Sequence, residues 1–199
     1  VNTVLHQDGL LIGHNTDGIG FFKSLETLRA FHVRNKRLTI LGGGGASTAI
    51  IAQAAIDGAK EITIFCRPQS VERTVATVQT IAQSTGVSLQ VLPNNDSQLL
   101  AEHINNSDLL INGTSVGMDG TSLPLPATIR FPEELLVADV IYQPFETPLL
   151  KMANSQGNPT INGLGMLLFQ AAEAFELWTG KEMPTDLIWQ LLVQKYDIK

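Results

Sequence analysis

The sequence predicts an α/β fold with a doubly wound, mostly parallel sheet, and two observations carry this prediction. Short apolar runs alternate with amphipathic stretches over most of the 199 residues, an order that places helices on both faces of a parallel sheet. One apolar run, Leu38–Leu41, breaks into the four glycines Gly42–Gly45 and then into small residues that suit a helix. A strand, a glycine turn and a helix in direct succession form the layout that binds the pyrophosphate of a dinucleotide.

The first predicted elements are a β-hairpin and a helix. The apolar runs 1–5 and 9–12 flank Asp8-Gly9, a dipeptide typical of hairpin turns. From Ile19 onward apolar residues recur at helical spacing, which predicts a helix over about residues 15–31.

The remaining chain alternates strands and helices. Strands are expected near residues 38–41, 61–65, 88–92, 108–111, 136–140 and 159–161. Helices are expected near residues 45–57, 69–83, 97–103, 147–156, 163–178 and 184–196. Right-handed crossovers then give a Rossmann topology, in which ligands lie beyond the carboxyl ends of the strands. The segment 117–132 is predicted to be irregular. The helix 163–178 is predicted to place in the core most of Leu167, Phe169, Ala174, Phe175 and Trp178.

Composition excludes several classes of protein. A net charge of −6 with scattered Lys and Arg argues against a nucleic-acid surface. The single cysteine, Cys66, permits no internal disulfide and favours a reducing compartment. No apolar run reaches the length of a membrane span. We therefore expect one domain over residues 1–199, soluble and cytoplasmic, with no metal site, no nucleic-acid partner and no membrane partner.

The glycine turn fits the G-x-G-x-x-G pattern only in part. Gly42 and Gly44 match the first two glycines, but Ser47 occupies the third position. No Lys-Ser or Lys-Thr pair follows the glycines, so the turn is not a P-loop. We interpret it as a nucleotide-binding turn, with a purely structural turn as the alternative.

The end of the second core strand indicates which dinucleotide the turn would hold. An NAD-selective site places Asp or Glu here, whereas this sequence reads Cys66-Arg67-Pro68. The Arg67 guanidinium can pair with the 2′-phosphate of NADP, assisted by Arg73, so NADP is favoured over NAD. An arginine in a surface loop is the alternative. Cys66 is interpreted as a small residue beside the adenine, with a reactive thiol as its alternative.

Three further strand ends carry small or polar residues at the same edge. Asn112–Met118 offers small and hydroxyl side chains that would let the backbone pass close to the nicotinamide-side ribose. Asp139–Pro144 places Tyr142 at the edge, where the alternative is a half-buried aromatic that caps the core. Asn162–Met166 opens a helix in which Gln170 stands out as polar on an otherwise apolar stretch.

Taken in order, these motifs resemble the shikimate/quinate dehydrogenase family over essentially the whole chain. The segments that carry the resemblance are Val1–Thr3, Asn15–Gly18, Gly42–Ser47, Asn112–Met118, Asp139–Tyr142 and Asn162–Met166 with Gln170. The resemblance implies a Rossmann-type NAD(P)-binding domain. It also implies reversible hydride transfer between NAD(P) and the carbon–oxygen bond at C3 of a cyclohexene or cyclohexane carboxylate, shikimate or quinate.

The resemblance further implies roles for individual residues. Asp17 matches a catalytic aspartate that faces the reacting hydroxyl; a plain helix cap, a role also open to Asn15 and Thr16, is its alternative. The matching substrate-binding positions are Asn2, Asp17, Tyr142 and Gln170, with Tyr142 near the substrate carboxylate. The resemblance also implies cofactor-binding positions. The diphosphate matches Gly42, Gly43, Gly44, Gly45 and Ala46, the adenosine end matches Cys66 and Arg67, and the nicotinamide end matches Val140, Gly163 and Met166.

Three departures from the family pattern bear on function. The family has an N-terminal substrate domain that supplies a catalytic lysine, and this chain, which begins at Val1 in a strand-like stretch, carries no lysine that matches it. We therefore expect a cofactor-binding part that is inactive alone, with C-terminal helices that return towards the substrate domain. Pro68 replaces a threonine and lacks an N–H that could meet the 2′-phosphate. Asn162 stands where many members have Asp.

Several alternatives stay open at this level. The residues do not separate shikimate from quinate as substrate. A homodimer is one candidate assembly, because an exposed cleft face would favour self-association. For function, the second hypothesis is a non-catalytic module that senses dinucleotides or metabolites, and the third is a Rossmann dehydrogenase for another small alcohol.

Overall fold

The chain begins with the predicted hairpin. The computed structural model describes residues 1–196, and its first strands, β1 (Thr3–Gln7) and β2 (Leu10–His14), pair antiparallel. Asp8 and Gly9 between them both have positive φ, 51° and 81°, the conformation of two-residue turns that match the twist of a hairpin. The hairpin is confirmed, and its strands lie one to two residues further along the chain than predicted.

The centre of the fold is a six-stranded parallel sheet. Its strands are β3 (Arg37–Leu41), β4 (Glu61–Cys66), β5 (Ser88–Pro93), β6 (Leu109–Asn112), β7 (Leu136–Asp139) and β8 (Thr160–Ile161). They lie in the order β5-β4-β3-β6-β7-β8, and every neighbouring pair is parallel. Within this sheet the chain enters at β3 in the middle, runs to the edge at β5, returns to the middle at β6 and continues to the other edge at β8. This order confirms the doubly wound fold, and the reversal between β3 and β6 marks the position at which such sheets bind ligands.

The helices within residues 1–196 match the predicted positions to within a few residues. They are α1 (Asp17–Arg29), α2 (Gly45–Ile56), α3 (Val71–Thr85), α4 (Ser97–Asn105), α5 (Pro148–Ser155), α6 (Leu164–Thr179) and α7 (Thr185–Tyr196). A short 3₁₀ turn, Pro68–Ser70, precedes α3. None of the helices in this described part of the chain is long and apolar enough to cross a membrane.

Each face of the sheet carries its own core layer. Side chains alternate along the strands, so Leu109 and Ile111 point to one face and Leu110 points to the other. The first face packs against α1, α2, α3 and α6, and the second packs against α4 and α5. The segment 117–132 forms no helix or strand, as predicted, although it buries Leu125 on the second face. Because α1 and α2 share the first face, the start of α1 lies on the same side as the helix that follows the glycine turn.

Glycines let α1 pack closely on its neighbours. A Cβ atom built on Gly18 would lie 2.7 Å from Gln53 Cβ of α2, and one built on Gly20 would lie 2.7 Å from Gln170 Cα of α6. Real Cβ atoms do not approach other heavy atoms this closely, so only glycine permits this packing. The N-terminal turn of α1 is thereby held between α2 and α6.

The prediction that most of the named apolar residues of α6 lie in the core is wrong for Leu167, which is 40% exposed, and for Trp178. Ala174 is buried, but Trp178 near the end of the helix is 58% exposed. Its indole Nε1 donates a hydrogen bond to the carbonyl oxygen of Val4 at 3.0 Å. An indole has a polar N–H as well as an apolar ring, and here the N–H connects α6 to the hairpin at the surface.

Candidate functional site

The glycine turn directly follows β3 at the point where the strand order reverses. Gly42 has a φ of +97°, in the left-handed region that favours glycine. A Cβ atom on Gly42 would lie 2.6 Å from Thr114 Cγ2, and one on Gly43 would lie 2.7 Å from Thr74 Cγ2. The fold itself therefore requires glycine at these two positions.

Close packing does not explain why positions 44 and 45 are also glycine. A Cβ atom built on Gly44 or Gly45 meets no described atom within 4 Å, and both residues are exposed. Gly44 is the N-cap of α2, and no side chain caps the helix there. The amides of the first turn, including that of Ala46, therefore face open space at the positive end of the helix dipole. This arrangement binds anions such as a diphosphate.

The third position of the glycine pattern is filled by a serine for a visible reason. Ser47 is fully buried, and its hydroxyl donates a hydrogen bond to the carbonyl oxygen of Gly113 at 3.2 Å. A Cβ atom on Gly113 would clash with that hydroxyl. A small residue at position 47 thus allows α2 to approach the end of β6, which is the packing role of the third glycine in this motif.

A cavity of about 380 Å³ lies beside the turn. Residues from both sides of the switch point line it, including Gly42, Gly43, Gly44, Cys66, Arg67, Arg73 and Thr114. The structure thus brings the predicted diphosphate and adenosine positions into one cavity. Arg67 is exposed, and Arg73 lies in the first turn of α3, so both guanidinium groups lie on the side of the cavity that follows β4, the predicted adenosine end. The Cys66 side chain is buried, which favours the small-filler interpretation over a reactive thiol.

A second cavity, of about 490 Å³, continues the first one along the carboxyl ends of the strands. Its lining includes Gly113, Thr114, Ser115, Met118, Val140, Ile141, Tyr142 and Gln143. The two cavities share the segment 113–115 and together form one groove, which we call the carboxyl-edge groove. Tyr142 lines this groove and is 43% exposed, so a bound ligand could reach it, and its role stays a prediction.

The predicted nicotinamide-side residues differ in their accessibility. A Cβ atom on Gly163 would lie 2.5 Å from the carbonyl carbon of Val140, so these two predicted positions are in direct contact. Met166, one turn further along α6, is only 8% exposed and belongs to the main core layer. Its contact with a nicotinamide ring stays a prediction.

The predicted substrate-side residues meet in a polar cluster at the start of α1. Asn2 Nδ2 lies 2.8 Å from Asp17 Oδ1, 3.0 Å from Thr16 Oγ1 and 3.4 Å from Gln170 Oε1. Asn2 Oδ1 in turn accepts a hydrogen bond from the backbone N–H of Thr16 at 3.0 Å. Three residues that lie far apart in sequence therefore present one carboxylate and two amides at a single place, which we call the Asn2 cluster.

The helix-cap alternative for Asp17 is wrong. Asp17 is the first residue of α1, and the N-cap position belongs to Thr16, whose side chain makes no capping bond. The backbone N–H of Asp17 instead donates to Asn15 Oδ1 at 3.0 Å. The Asp17 carboxylate therefore does not cap the helix. It accepts a hydrogen bond from Asn2 and is available to groups beside the cluster.

The Asn2 cluster lies close to the carboxyl-edge groove. The α6 helix runs from Gly163, which contacts Val140 in the groove, to Gln170 in the cluster. Seven residues of an α-helix span about 10 Å, so the nicotinamide end of the groove and the cluster are separated by roughly that distance. Tyr142 lies in the groove rather than in the cluster, and none of its described hydrogen bonds joins the two.

Sequence reasoning gave Thr16 no functional role. Thr16 is 1% exposed, and its hydroxyl contacts both Asn2 and Gln170. The sequence points to Thr16 only through its place inside the motif Asn15–Gly18, a position that suggests a helix cap. The hydroxyl in fact holds the Asn2 and Gln170 amides in place.

A buried polar network at the ends of β6 and β7 was also missed. Asn112, Asp139 and Thr147 are each at most 1% exposed, and the Asp139 carboxylate accepts hydrogen bonds from the side chains of the other two. Burial raises the pKa of the Asp139 carboxyl, while hydrogen bonds from the Ile141 N–H, the Thr147 hydroxyl and Asn112 act in the opposite direction. Both Asn112 and Asp139 end apolar runs in the sequence, which was the only sign of this network.

Another cavity of comparable size has a different lining. It measures about 350 Å³ and is lined by residues of α1, α5, β8 and α7 and of the loop before α5, among them Arg29, Phe145, Asn154 and Trp189. The glycine turn Gly42–Gly45 does not line it. Within residues 1–196, no group of three or more His, Cys, Asp or Glu side chains could hold a metal ion.

A helix N-terminus open to a diphosphate, a groove along the carboxyl edge and a carboxylate–amide cluster beside it are together the features of a dinucleotide-dependent dehydrogenase domain. The family described as "Shikimate 5'-dehydrogenase C-terminal domain" matches residues 163–193. A curated relative from Streptococcus suis (strain 05ZYH33), named shikimate dehydrogenase (NADP(+)), is 82% identical over all 199 residues, which span 69% of its length. The chain belongs to the shikimate dehydrogenase family.

Solved structures agree with this membership. The shikimate 5-dehydrogenase from Listeria monocytogenes, in complex with shikimate and NAD, is 43% identical with a TM-score of 0.88 over 95% of this chain and 66% of that chain. The enzyme from Thermus thermophilus, in complex with NADP(H) and shikimate, is 31% identical with a TM-score of 0.78 over 96% of this chain and 66% of that chain. These findings confirm the family, the oxidoreductase class and the NAD(P) cofactor predicted from the sequence.

Proposed function

We propose that this chain forms the NADP-binding part of an enzyme that interconverts shikimate and 3-dehydroshikimate by reversible hydride transfer. The observation that carries this proposal is the carboxyl-edge groove, which runs from Arg67 to Val140 and ends about 10 Å from the Asn2 cluster. The groove follows the path that an extended dinucleotide would take. The cluster offers hydrogen-bonding groups that suit the hydroxyls of a polyhydroxylated substrate.

The diphosphate binds at the start of α2. Its charge meets the free amides of residues 44–46 and the positive end of the helix dipole. Gly44 and Gly45 are exposed and lack side chains, so phosphate oxygens can approach the backbone directly.

Arg67 and Arg73 select NADP at the adenosine end. Both line the same cavity as the glycine turn, and a guanidinium pairs well with the dianionic 2′-phosphate. Pro68 offers no N–H at this place, and the two arginines supply positive charge there. The name of the Streptococcus suis relative, which specifies NADP(+), supports this choice.

The Asn2 cluster orients the substrate. The nicotinamide accepts or gives the hydride, and the hydroxyl proton must go to a base. Asp17 accepts hydrogen bonds from the substrate hydroxyl and holds it in line, while the Asn2 and Gln170 amides bind neighbouring hydroxyls. Tyr142, in the groove, meets the substrate carboxylate. The family resemblance assigns the base to a lysine. No lysine of this sequence matches it, so we assign the base to no residue of this chain.

Two titrations test the cofactor half of the proposal. The 199-residue chain should bind NADP, and it should bind NAD more weakly, as measured by isothermal titration calorimetry. It should not oxidise shikimate. Failure to bind either dinucleotide, or shikimate turnover by this chain alone, would contradict the proposal.

A variant tests the substrate half. In the protein expressed from its complete reading frame, Asp17→Asn should lower kcat by a factor of about a hundred or more, in the range of a lost general acid–base group. NADP affinity should stay unchanged, because the Asn2 cluster lies outside the diphosphate cavity. A kcat close to that of the wild type would reduce Asp17 to a structural residue.

Assays with shikimate and quinate in parallel decide between the two acids.

No particular observation favours the sensor hypothesis or another small alcohol as substrate. A homodimer and a cytoplasmic location stay predictions. Sedimentation of the chain over a range of concentrations tests the first, and cell fractionation tests the second.

A further inference from the structure

We propose that the buried side chains of Asn112, Asp139 and Thr147 form a positioning device for the nicotinamide half of the carboxyl-edge groove. We call these three residues the buried triad. The proposal rests on the proposed function, because it names what shapes the nicotinamide half when a dinucleotide binds. None of the three side chains was given a role by the sequence motifs.

The triad joins the ends of two adjacent strands. Asn112 is the last residue of β6 and Asp139 is the last residue of β7, and the two are register partners in the sheet. Asn112 Nδ2 lies 3.1 Å from each carboxylate oxygen of Asp139. The contact therefore fixes two strand ends at the edge where the cofactor lies.

On one side, Asp139 holds the loop that leads to α5. Its Oδ1 accepts a hydrogen bond from the Ile141 N–H at 3.0 Å, and its Oδ2 accepts one from the Thr147 hydroxyl at 2.7 Å. Between these anchors lie Tyr142 and Gln143, which line the groove. The carboxylate thus holds both ends of the groove-lining segment.

On the other side, Asn112 holds the loop that follows β6. Its Oδ1 accepts hydrogen bonds from the Thr114 N–H at 3.1 Å and the Thr114 hydroxyl at 2.7 Å. Its Nδ2 also donates to the carbonyl oxygen of Val116 at 3.0 Å. Thr114 lies against Gly42 of the glycine turn. This wall of the groove therefore has a fixed position relative to the diphosphate site.

The polar character of the triad is costly in a buried sheet. Removing a carboxylate from water is unfavourable unless its oxygens find donors, and apolar side chains would fill the same space without that cost. Every donor that satisfies Asp139 comes from the triad itself or from a loop that lines the groove. The triad therefore specifies loop geometry rather than core packing.

The Asp139–Thr147 contact of the triad acts on the nicotinamide half, because the segment 141–143 that it holds lines only the second cavity, whereas the loop held by Asn112 borders both cavities. None of the triad's hydrogen bonds within residues 1–196 reaches Cys66, Arg67 or Arg73 at the adenosine end. A purely structural role would weaken both halves of the site together through loss of stability. A positioning role would weaken only the nicotinamide half.

The test uses two probes and three variants of the 199-residue chain. NADP occupies the whole groove, whereas adenosine 2′,5′-bisphosphate occupies the adenosine end alone. Thr147→Val removes the hydroxyl that donates to Asp139 with little change of volume, and Thr147→Ser keeps the hydroxyl. Thr39→Val is the matched control, since Thr39 is fully buried in the same sheet and bonds to Ser107 outside the groove.

Thr147→Val should weaken NADP at least about tenfold, the scale of a lost hydrogen bond to a charged group, and should leave the affinity for the bisphosphate within about twofold. Thr147→Ser should restore NADP affinity, and Thr39→Val should change neither affinity. Equal weakening of both probes by Thr147→Val, or no weakening, would overturn the proposal. If Thr147→Val does not fold, because Thr147 also caps α5, Asp139→Asn gives the same comparison.

The wild type separates the two levels of failure. If the wild-type chain binds neither probe, the proposed function fails. If it binds both probes and the triad variants do not discriminate between them, only the positioning role fails.

Discussion

The two halves of the carboxyl-edge groove are built by different means. The adenosine–diphosphate half consists largely of backbone: a glycine turn, a helix N-terminus and two exposed arginines. The nicotinamide half is shaped by buried side chains, since the triad holds the loops after β6 and β7. A backbone site is contiguous in sequence and can be recognised there, whereas the triad joins positions 27 residues apart and becomes visible only in three dimensions.

The largest effect is expected at the glycine turn. Gly44→Val adds a side chain where the diphosphate approaches, at an N-cap whose φ of −83° and ψ of −174° suit any residue. NADP, NAD and adenosine 2′,5′-bisphosphate should all bind at least about a hundredfold more weakly, because each loses its phosphate contacts with the amides. The free energy of unfolding should change by no more than about 1 kcal/mol.

Gly44→Ala provides a graded control, with an intermediate loss of affinity expected from its smaller side chain. Calorimetric titration and urea denaturation measure the two quantities. Wild-type affinity in Gly44→Val would mean that the diphosphate lies elsewhere.

The next effect distinguishes the two cofactors. Arg67→Ala should weaken NADP about tenfold or more, because a charge-assisted contact with the 2′-phosphate is lost, while NAD affinity changes little. Arg130→Ala, a change at an exposed arginine outside the groove lining, is the matched control. Equal losses for NADP and NAD would show that Arg67 does not contact the 2′-phosphate.

A third variant tests the close packing behind the nicotinamide half. Gly163→Ala places a Cβ atom against the Val140 carbonyl group, and the overpacking should lower the free energy of unfolding by about 1–3 kcal/mol. Urea denaturation measures the change. Gly45→Ala, where the added Cβ has open space, should cost less than about 1 kcal/mol, and equal costs for the two would contradict the packing argument.

The smallest expected effect is the pH dependence of the triad. Burial raises the pKa of Asp139, so the folded chain holds this proton more tightly than the unfolded chain does. The resulting stability is complete below the ordinary value of about 3.9 and is lost as the pH rises through the raised pKa. Asp139→Asn does not titrate. The unfolding free energy of the variant relative to wild type should therefore increase as the pH rises above about 4, and a decrease would mean that the pKa of Asp139 is lowered rather than raised.

Sequence patterns predicted the fold and the backbone-built half of the site because both depend on local order. Alternation of apolar runs gave the sheet, and the four glycines marked the turn. The Asn2 cluster was predicted only through family resemblance, since no local pattern joins Asn2 to Gln170. The triad and Thr16 were missed because hydrogen bonds between distant loops leave no periodic trace. Trp178 was misplaced because helical spacing alone does not show that its indole N–H bonds to the hairpin.

The most direct test of the account is amide chemical-shift mapping of the ¹⁵N-labelled chain during titration with NADP. The account predicts shifts at Gly44, Ala46, Thr114 and Val140, with no change at Asn154 in the separate cavity between α1, α5 and α7. Shifts confined to the surroundings of Asn154, or unchanged amides at the start of α2, would contradict it.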